Sequence, residues 1–486
     1  MNDRCRLVLR LLLVALAGLA ADARAAQEAP AHLADFWAGD TVAARQQAGD
    51  RAARAGLRFD DALREFEEGP PRRQVATGRV LASHDVDGVD HPYLVLVPDD
   101  YDPDTAYPVR FYLHGGVSRA AIPPDGGWWR NEDRLRRNDV IAVIPASWDA
   151  STWWQVSQLR SLRGILADLR RTYNVDDSRI HMLGISDGAT GAWYFAFRDP
   201  TPWAGFVSLI GHPAVLASPQ VGAEGQMHVV NLRNRPFLAI NGGVDRLYPA
   251  RSVRPYMELF TASGVTVEFV ERPDDGHTVS WWPEERDRIE RFFASSVRDP
   301  LPAELVFETA DTERAARLHW VVIDELGATR ADADDFPVYE RPLNQQPGSR
   351  IIGFPHPRPS GRVEIVAAAN TIAIRSRGVR RLRLLLSPRQ FDFAQPLRVE
   401  ANGVEIFSGR VQADTGTLLA WAAIDLDRSM PVGAEIAIDL EVSNEALPVP
   451  RAAASPLHVT RSAGPSSDRP TRPAAPAART PPTLRR

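Results

Sequence analysis

The segment Gly184-Ile185-Ser186-Asp187-Gly188 places a serine between two glycines, each two residues away from it. It follows a strand-like apolar run, 179–183, and precedes a stretch with helical periodicity. A serine in a tight strand-to-helix turn exposes its hydroxyl, and flanking glycines let the two backbones approach without a side-chain clash. The alternative is a glycine-rich turn in which the serine only caps the helix. The strand before and the helix after favour a nucleophilic role for Ser186.

A nucleophilic serine needs a base and an acid that orients the base. Asp245 and His277 each follow a predicted strand, and loops after parallel strands open on the same edge of a sheet. We expect Asp245 to hold His277 in one tautomer, and His277 to take the proton of Ser186 and return it to the leaving group. Asp274 and Asp275 are rival acids, but their closeness in sequence to the histidine marks them as loop residues.

A second glycine-rich segment, His114-Gly115-Gly116, follows another strand-like run. Such a segment can direct a backbone N–H at the oxygen that becomes negative during acyl transfer, and the residue after the nucleophile supplies a second N–H. We predict Gly116 and Asp187 as these donors, with Gly115 as the alternative to Gly116. His114 is interpreted as a structural residue of the loop. The Asp187 side chain lies at a predicted helix N-terminus, where the helix dipole favours a carboxylate.

Tryptophan pairs follow two of the predicted strands. Trp128, Trp129, Trp153 and Trp154 would lie on the same edge of the sheet as Ser186 and could form an aromatic substrate pocket. The alternative is that they pack their loops onto the domain, and the sequence does not separate the two. A third pair, Trp281-Trp282, opens the last helix and is interpreted as core.

Alternating strand-like and helical stretches, from about Gly78 onwards, surround these residues. Near-continuous apolar strands that alternate with helices predict a mostly parallel sheet covered on both faces. The predicted strands are 93–97, 109–113, 140–144, 180–184, 206–210, 237–240 and 265–270, and the main predicted helices are 157–173, 189–197 and 283–293.

The pattern changes near Pro300 and Pro302, after which helical stretches fade. Short strands and an Asn402-Gly403 turn predict an all-β domain of sandwich type. No histidine there stands beside a serine and an acid as around Ser186, so we expect this domain to bind or position substrate. The last forty residues are rich in Pro, Ala, Ser and Arg, which is typical of a disordered tail.

The N-terminus has a basic start and a short apolar run that ends near small residues, as in a secretory signal peptide. The alternative is a membrane anchor, but the run is short for a membrane span, and no later segment is long and apolar enough for one. The mature protein is therefore expected to be secreted or periplasmic. Removal of the signal also removes Cys5, the only cysteine, which excludes disulfides and cysteine nucleophiles.

Charge and composition exclude further classes of function. The chain has 57 Lys+Arg and 62 Asp+Glu, a net charge of −5 that argues against nucleic acid as a partner. All basic side chains besides histidine are arginines, so no lysine can form a Schiff base. The histidines lack the spacing of a metal site, and no cofactor or metal is expected.

The first half of the predicted α/β region contains the segments Pro92-Tyr93-Leu94-Val95-Leu96-Val97-Pro98, Asp99-Asp100-Tyr101 and Tyr112-Leu113-His114-Gly115-Gly116. They resemble the opening of secreted esterases with the α/β-hydrolase fold, including feruloyl and acetylxylan esterases and polyhydroxybutyrate-depolymerase-like enzymes. The surroundings of Asp245 and His277 are also similar to the catalytic domain of prolyl oligopeptidases. This resemblance covers about residues 78–297 and implies Ser186, Asp245 and His277 as a triad. The chain departs from these families in lacking the cysteines common in the esterases and the propeller of prolyl oligopeptidase.

Together these patterns predict a serine esterase that acts on a small or polymeric ester through an acyl-enzyme. A serine peptidase is the alternative within enzymes, and a non-catalytic binding protein with a relic hydrolase fold is the alternative outside them. The oligomeric state is left open. The predicted division is 1–25 signal peptide, 26–75 helical lead-in, 76–298 α/β-hydrolase domain, 302–445 β-sandwich-like domain and 446–486 disordered tail. We expect the helical lead-in to pack on the domain that follows it.

Overall fold

The computed structural model of the chain describes residues 32–71, 73–121, 123, 127–128, 132–327, 353–441 and 457–462. The predicted signal peptide and most of the predicted tail lie outside these residues. The helices are α1 (Ala34–Ala38), α2 (Val42–Arg54), α3 (Phe59–Glu68), α4 (Val156–Thr172), α5 (Asp187–Arg198), α6 (Ala250–Ala262), α7 (Trp282–Ser295) and α8 (Thr415–Asp425). None of the described helices is long and apolar enough to cross a membrane.

A nine-stranded sheet forms the centre of the molecule. Its order is β1-β2-β4-β3-β5-β6-β7-β8-β18, with antiparallel pairing among β1, β2 and β4 and parallel pairing from β4 onwards. The strands are β1 (Gly78–Val86), β2 (Val89–Val97), β3 (Tyr107–Leu113), β4 (Ile141–Pro145), β5 (Val175–Ile185), β6 (Gly205–Leu209), β7 (Phe237–Gly242), β8 (Val267–Arg272) and β18 (His458–Arg461).

Both faces of this sheet are covered, because its inner strands are apolar along their whole length. Every residue of β4 and β6 is buried. Side chains of α4, α5 and α6 share one apolar cluster with one face, and α7 shares a second cluster with the other face. This arrangement is the predicted α/β-hydrolase fold. The strand β1 and the helix α6 were not predicted.

Residues after 300 form two further sheets around their own apolar core, as the predicted sandwich requires. One sheet has the order β10-β11-β14-β17 and the other β16-β15-β13-β12-β9. The strands are β9 (Glu304–Thr309), β10 (Arg317–Leu318), β11 (Val321–Leu326), β12 (Gly361–Ala368), β13 (Thr371–Arg377), β14 (Val379–Leu386), β15 (Leu397–Ala401), β16 (Val404–Gly409) and β17 (Ala434–Asp439).

A helix within this C-terminal module, α8, was not predicted. Leu418 and Leu419 of α8 pack with Phe36 and Phe66 of the N-terminal helices in a separate apolar cluster, to which α4 adds Ala167. We expected the N-terminal helices to pack on the domain that follows them in sequence. They pack instead mainly on α8, because its apolar face lies where the two domains meet.

Buried ion pairs join the C-terminal module to the α/β domain. Asp427 lies 2.8 Å from Arg298 and 3.3 Å from Arg170, and Arg170 also pairs with Asp177 at 2.7 Å. All four side chains are almost completely inaccessible. A buried charge is tolerated only when it is paired, so the two domains depend on each other here.

The strand β18 belongs to the segment that was predicted as a disordered tail. It pairs in parallel with β8 at the edge of the main sheet, and Ser462 donates its N–H to Glu271. This pairing satisfies backbone groups that would be open on an edge strand. The sequence did not indicate it because the segment is short and lies between long stretches of low complexity.

Candidate active site

Ser186 lies in the turn that joins β5 to α5, with φ 55° and ψ −116°. A positive φ in a residue with a side chain costs about 1–3 kcal/mol and is found at functional turns. The flanking glycines are required sterically, since a Cβ on Gly184 would lie 1.9 Å from the carbonyl oxygen of Gly188. A Cβ on Gly188 would lie 2.1 Å from the carbonyl oxygen of Leu113. The predicted strained turn is present.

Three side chains from three loops meet at this turn. The Oγ of Ser186 is 2.9 Å from Nε2 of His277, and Nδ1 of His277 is 2.8 Å from Oδ2 of Asp245. Asp245 follows β7 and His277 follows β8, so both loops open at the carboxyl edge of the sheet beside the end of β5. The structure therefore brings together the three residues predicted as nucleophile, base and acid.

The Asp245 carboxylate is completely buried and well bound. Its Oδ1 accepts the N–H groups of Leu247 at 2.7 Å and Tyr248 at 2.9 Å, which leaves Oδ2 for His277. The rival acids have other settings. Asp275 binds Arg272 at 2.8 Å, and Asp274 is exposed. Asp245 is thus the acid that contacts the histidine.

The His114-Gly115-Gly116 segment lies against the serine turn. A Cβ on Gly115 would be 3.0 Å from Cβ of Ser186, whereas Gly116 has φ +70° and open space around it. No hydrogen bond within the described part of the chain uses the N–H groups of Gly115, Gly116 or Asp187. These N–H groups, of Asp187 and of both glycines, are available to bind an oxyanion.

Three contacts hold this segment in place. Nε2 of His114 accepts the N–H of Ser147 at 3.0 Å, and the indole of Trp153 donates to the His114 carbonyl at 2.9 Å. The Asp187 carboxylate accepts the N–H of Val117 at 3.0 Å. Burial, together with nearby Arg119, lowers the pKa of His114 to about 4, so this residue is neutral near pH 7. A neutral, hydrogen-bonded His114 fits the predicted structural role.

The tryptophans divide between the core and the site. Trp153 and Trp154 are buried and donate to the carbonyls of His114 and Val221, so the pocket interpretation is wrong for them and the packing alternative applies. Trp128 lines a cavity next to Ser186. Trp129 lies outside the described residues.

That cavity has a volume of about 470 Å³, within the range of small-molecule sites. Gly115 and Ile185 connect it to the serine turn, and Trp282, which we assigned to the core, is part of its wall. Its neighbour Trp281 is buried, as predicted. The two tryptophans are adjacent in the sequence, so the sequence pattern does not show which one is buried and which one faces the cavity. The packing of α7 against the sheet decides this. Among the described residues, no group of three or more potential ligands could hold a metal ion.

Comparisons with known proteins add similarities of fold. No protein-family model and no curated protein sequence matches the chain. A crystal structure of a thermostable esterase is 21% identical over 45% of this chain and 63% of its own, with a TM-score of 0.36. A putative dipeptidyl aminopeptidase IV from Bacteroides ovatus is 16% identical over 45% of this chain and 36% of its own, with a TM-score of 0.38. Thermogutta terrifontis esterase 2, phosphoramylated by tabun, is 15% identical over 45% of this chain and 94% of its own, with a TM-score of 0.35.

Proposed function

We propose that this protein hydrolyses carboxylic esters through an acyl-enzyme formed on Ser186. The observation that carries the proposal is the continuous contact from Oγ of Ser186 through His277 to Asp245, next to unused backbone N–H groups. An activated serine beside preorganised N–H donors is the arrangement that acyl transfer requires.

In the first half of the reaction, His277 Nε2 takes the Ser186 proton as Oγ bonds to the substrate carbonyl carbon. The carbonyl oxygen becomes an oxyanion and is bound by the N–H groups of Asp187 and of Gly116 or Gly115. The buried Asp245 carboxylate stabilises the imidazolium. When the bond to the alcohol breaks, His277 gives its proton to the departing oxygen, and the acyl group stays on Ser186.

In the second half, water repeats the attack. His277 takes a proton from the water as its oxygen bonds to the acyl carbon, and the oxyanion forms again in the same place. The bond to Oγ then breaks, and the proton on His277 returns to Ser186. The products are one carboxylic acid and one alcohol, and the enzyme is regenerated.

Hydrolysis of p-nitrophenyl acetate tests the proposal. Ser186→Ala is expected to lower kcat by several orders of magnitude, because the nucleophile is lost while the binding groups remain. A matched control is Ser295→Ala, which removes an exposed hydroxyl that donates to the carbonyl of Phe292 at the end of α7. Equal rates for wild type and Ser186→Ala would overturn the proposal.

Peptide amides are the second candidate substrates, because the surroundings of Asp245 and His277 resemble those in prolyl oligopeptidases. Esters and amides use the same nucleophile, base and acid, so substrate profiling must separate them. Dipeptide p-nitroanilides are assayed beside p-nitrophenyl esters. Ester turnover without amide turnover eliminates the peptidase, and faster amide turnover replaces our proposal with it.

A relic fold that only binds ligands is the remaining alternative. A fluorophosphonate probe reacts with an activated serine and not with an ordinary one. Stoichiometric labelling that Ser186→Ala abolishes supports the enzyme. Absence of labelling in folded protein supports the binding protein.

Two further proposals concern the rest of the chain. Residues 1–25 act as a signal peptide, so that the protein works outside the cytoplasm, and mass spectrometry of the mature N-terminus tests this.

The C-terminal module positions polymeric substrate and takes no part in the chemistry. Its folded core is separate from the residues around Ser186, which supports the division of roles.

A further inference from the structure

The cavity beside Ser186 is close enough to the nucleophile to hold one side of an ester. It is lined by Gly115 and by Ile185, the residue before Ser186. A methyl group placed on Gly115 would lie 3.6 Å from Oγ of Ser186, which is van der Waals contact. A substrate group that fills the cavity therefore lies beside the nucleophile, next to the reacting carbonyl.

The wall of the cavity is largely apolar. The indole N–H of Trp128 donates a hydrogen bond to the carbonyl of Ile144 at 3.1 Å, so the ring presents carbon surface to the cavity. Leu135, Val279 and Trp282 add further apolar surface. Such a wall favours an aryl or branched alkyl group of the substrate.

Two guanidinium groups, those of Arg134 and Arg286, stand among these apolar residues. Both side chains are exposed, and neither forms a hydrogen bond or an ion pair with a described residue. Nearby arginines differ in this respect, since Arg136 pairs with Asp99 and Arg272 pairs with Asp275. The two cavity arginines therefore keep their full capacity for an anion.

Of the acidic residues near the two arginines in sequence, Asp133 and Asp287 are exposed and do not line the cavity, and three others pair elsewhere. Glu132 pairs with Arg79, and Glu284 and Glu285 both pair with Arg272. No carboxylate is found among the described residues that line the cavity. The cavity is thus locally cationic although the chain as a whole has a net charge of −5.

We propose that this cavity selects esters whose apolar group carries a carboxylate, and that Arg134 and Arg286 bind this carboxylate. The proposal rests on the proposed esterase function and names its substrate class. Arginine suits the role because its planar guanidinium can donate two parallel hydrogen bonds to one carboxylate.

Two pairs of matched substrates test the charge preference and locate it. Mono-p-nitrophenyl glutarate is compared with p-nitrophenyl pentanoate, which places the charge in the acyl group. The pentanoate ester of 4-hydroxybenzoate is compared with that of 4-hydroxybenzamide, which places the charge in the alcohol. Wild type is expected to prefer the anionic member of one pair, and that pair identifies which side of the ester enters the cavity.

The double variant Arg134→Gln/Arg286→Gln is expected to lower kcat/KM for the preferred anionic ester about tenfold and to change the neutral ester less than twofold. Arg291→Gln is the control, since Arg291 is an exposed residue of α7 that does not line the cavity. An unchanged ratio of anionic to neutral kcat/KM in the double variant, for both pairs, would overturn the assignment.

Binding separates failure of this inference from failure of the proposed function. Tryptophan fluorescence of the Ser186→Ala variant is titrated with 4-phenylbutyrate and with 4-phenylbutyramide. The carboxylate is expected to bind more tightly, and the added arginine substitutions are expected to raise its Kd about tenfold and leave that of the amide unchanged. Equal binding of the two ligands contradicts the inference even if Ser186-dependent ester hydrolysis is found. Selective carboxylate binding without ester hydrolysis contradicts only the proposed function.

Discussion

The carboxylate of Asp187 accepts the backbone N–H of Val117 at 3.0 Å, and so joins the residue after the nucleophile to the loop that carries Gly115 and Gly116. In the proposed mechanism, Asp187 thereby offers its own N–H to the oxyanion and also fixes the loop that offers the second N–H. The helix dipole explains why a carboxylate is favourable at this position, and the contact with Val117 gives it a second use.

Removing this carboxylate is expected to loosen the loop. Asp187→Ala should lower kcat for a small ester about 10- to 100-fold with little change in KM, because the misplaced N–H stabilises the oxyanion less. Asp187→Asn keeps an oxygen that can accept from Val117, and should retain most of the activity. Steady-state kinetics of both variants give the comparison. Equal losses in the two variants would mean that charge, and not loop position, is responsible.

Substitution of the buried acid separates Asp245 from its rivals. Asp245→Asn should lower kcat about 10³- to 10⁴-fold, since the amide cannot stabilise the protonated His277. Asp275→Asn should change kcat less than threefold, because Asp275 binds Arg272 and not the histidine. Kinetics with p-nitrophenyl acetate measure both. A larger loss for Asp275→Asn than for Asp245→Asn would contradict the proposed arrangement.

The glycines of the serine turn are expected to tolerate no side chain. Gly184→Ala should destabilise the protein by about 3 kcal/mol, the upper range for an overpacked site, because its Cβ would overlap the backbone of Gly188. Gly353→Ala is the control, since a Cβ there meets no atom within 4 Å. Chemical denaturation monitored by fluorescence measures both changes. Similar stability of the two variants would show that the turn is less constrained than the structure indicates.

The buried ion pairs between the domains should make stability depend on pH. Burial opposes ionisation of Asp427, but Arg298 and Arg170 outweigh it, so the pKa of Asp427 is lowered. The resulting stability is present above the unfolded-state pKa of about 3.9 and is lost as the pH falls through the folded-state value.

Asp427→Asn should therefore cost about 3–5 kcal/mol near pH 7, because the buried guanidinium of Arg298 loses its counterion and that of Arg170 keeps only Asp177. The difference from wild type should shrink as the pH falls from about 5 to 2. Asp439→Asn is the control, since Asp439 forms an exposed pair with Arg381 and should cost at most about 1 kcal/mol. Denaturation curves across this pH range test the expectation, and a constant difference at all pH values would contradict it.

Removal of the C-terminal module is expected to unfold more than the module. A chain that ends at Arg298 loses the Asp427 counterion and the packing of Phe354 on Phe197, whose ring centroids are 4.9 Å apart. We expect this chain to be insoluble or to lack a cooperative unfolding transition. A chain that ends at Glu441 keeps both contacts and should stay folded and react with a fluorophosphonate. A soluble, cooperative chain ending at Arg298 would show that the module is independent.

The sequence alone was enough to predict the α/β-hydrolase fold and the residues that meet at Ser186. Long apolar strands indicate a sheet covered on both faces. Because the carboxyl ends of parallel strands lie on one edge of the sheet, residues in the loops after different strands are expected to lie close together. The steric demands of the serine turn are also local, which is why two glycines at fixed spacing reveal it.

Other features depended on how distant segments pack. Which tryptophans face the cavity is decided by contacts among separate loops and α7, which no local pattern encodes. The contact of α8 with the N-terminal helices and the pairing of β18 with β8 join residues that are far apart in the sequence. Burial and hydrogen-bond pairing are properties of the assembled chain, so only the tertiary structure could decide them.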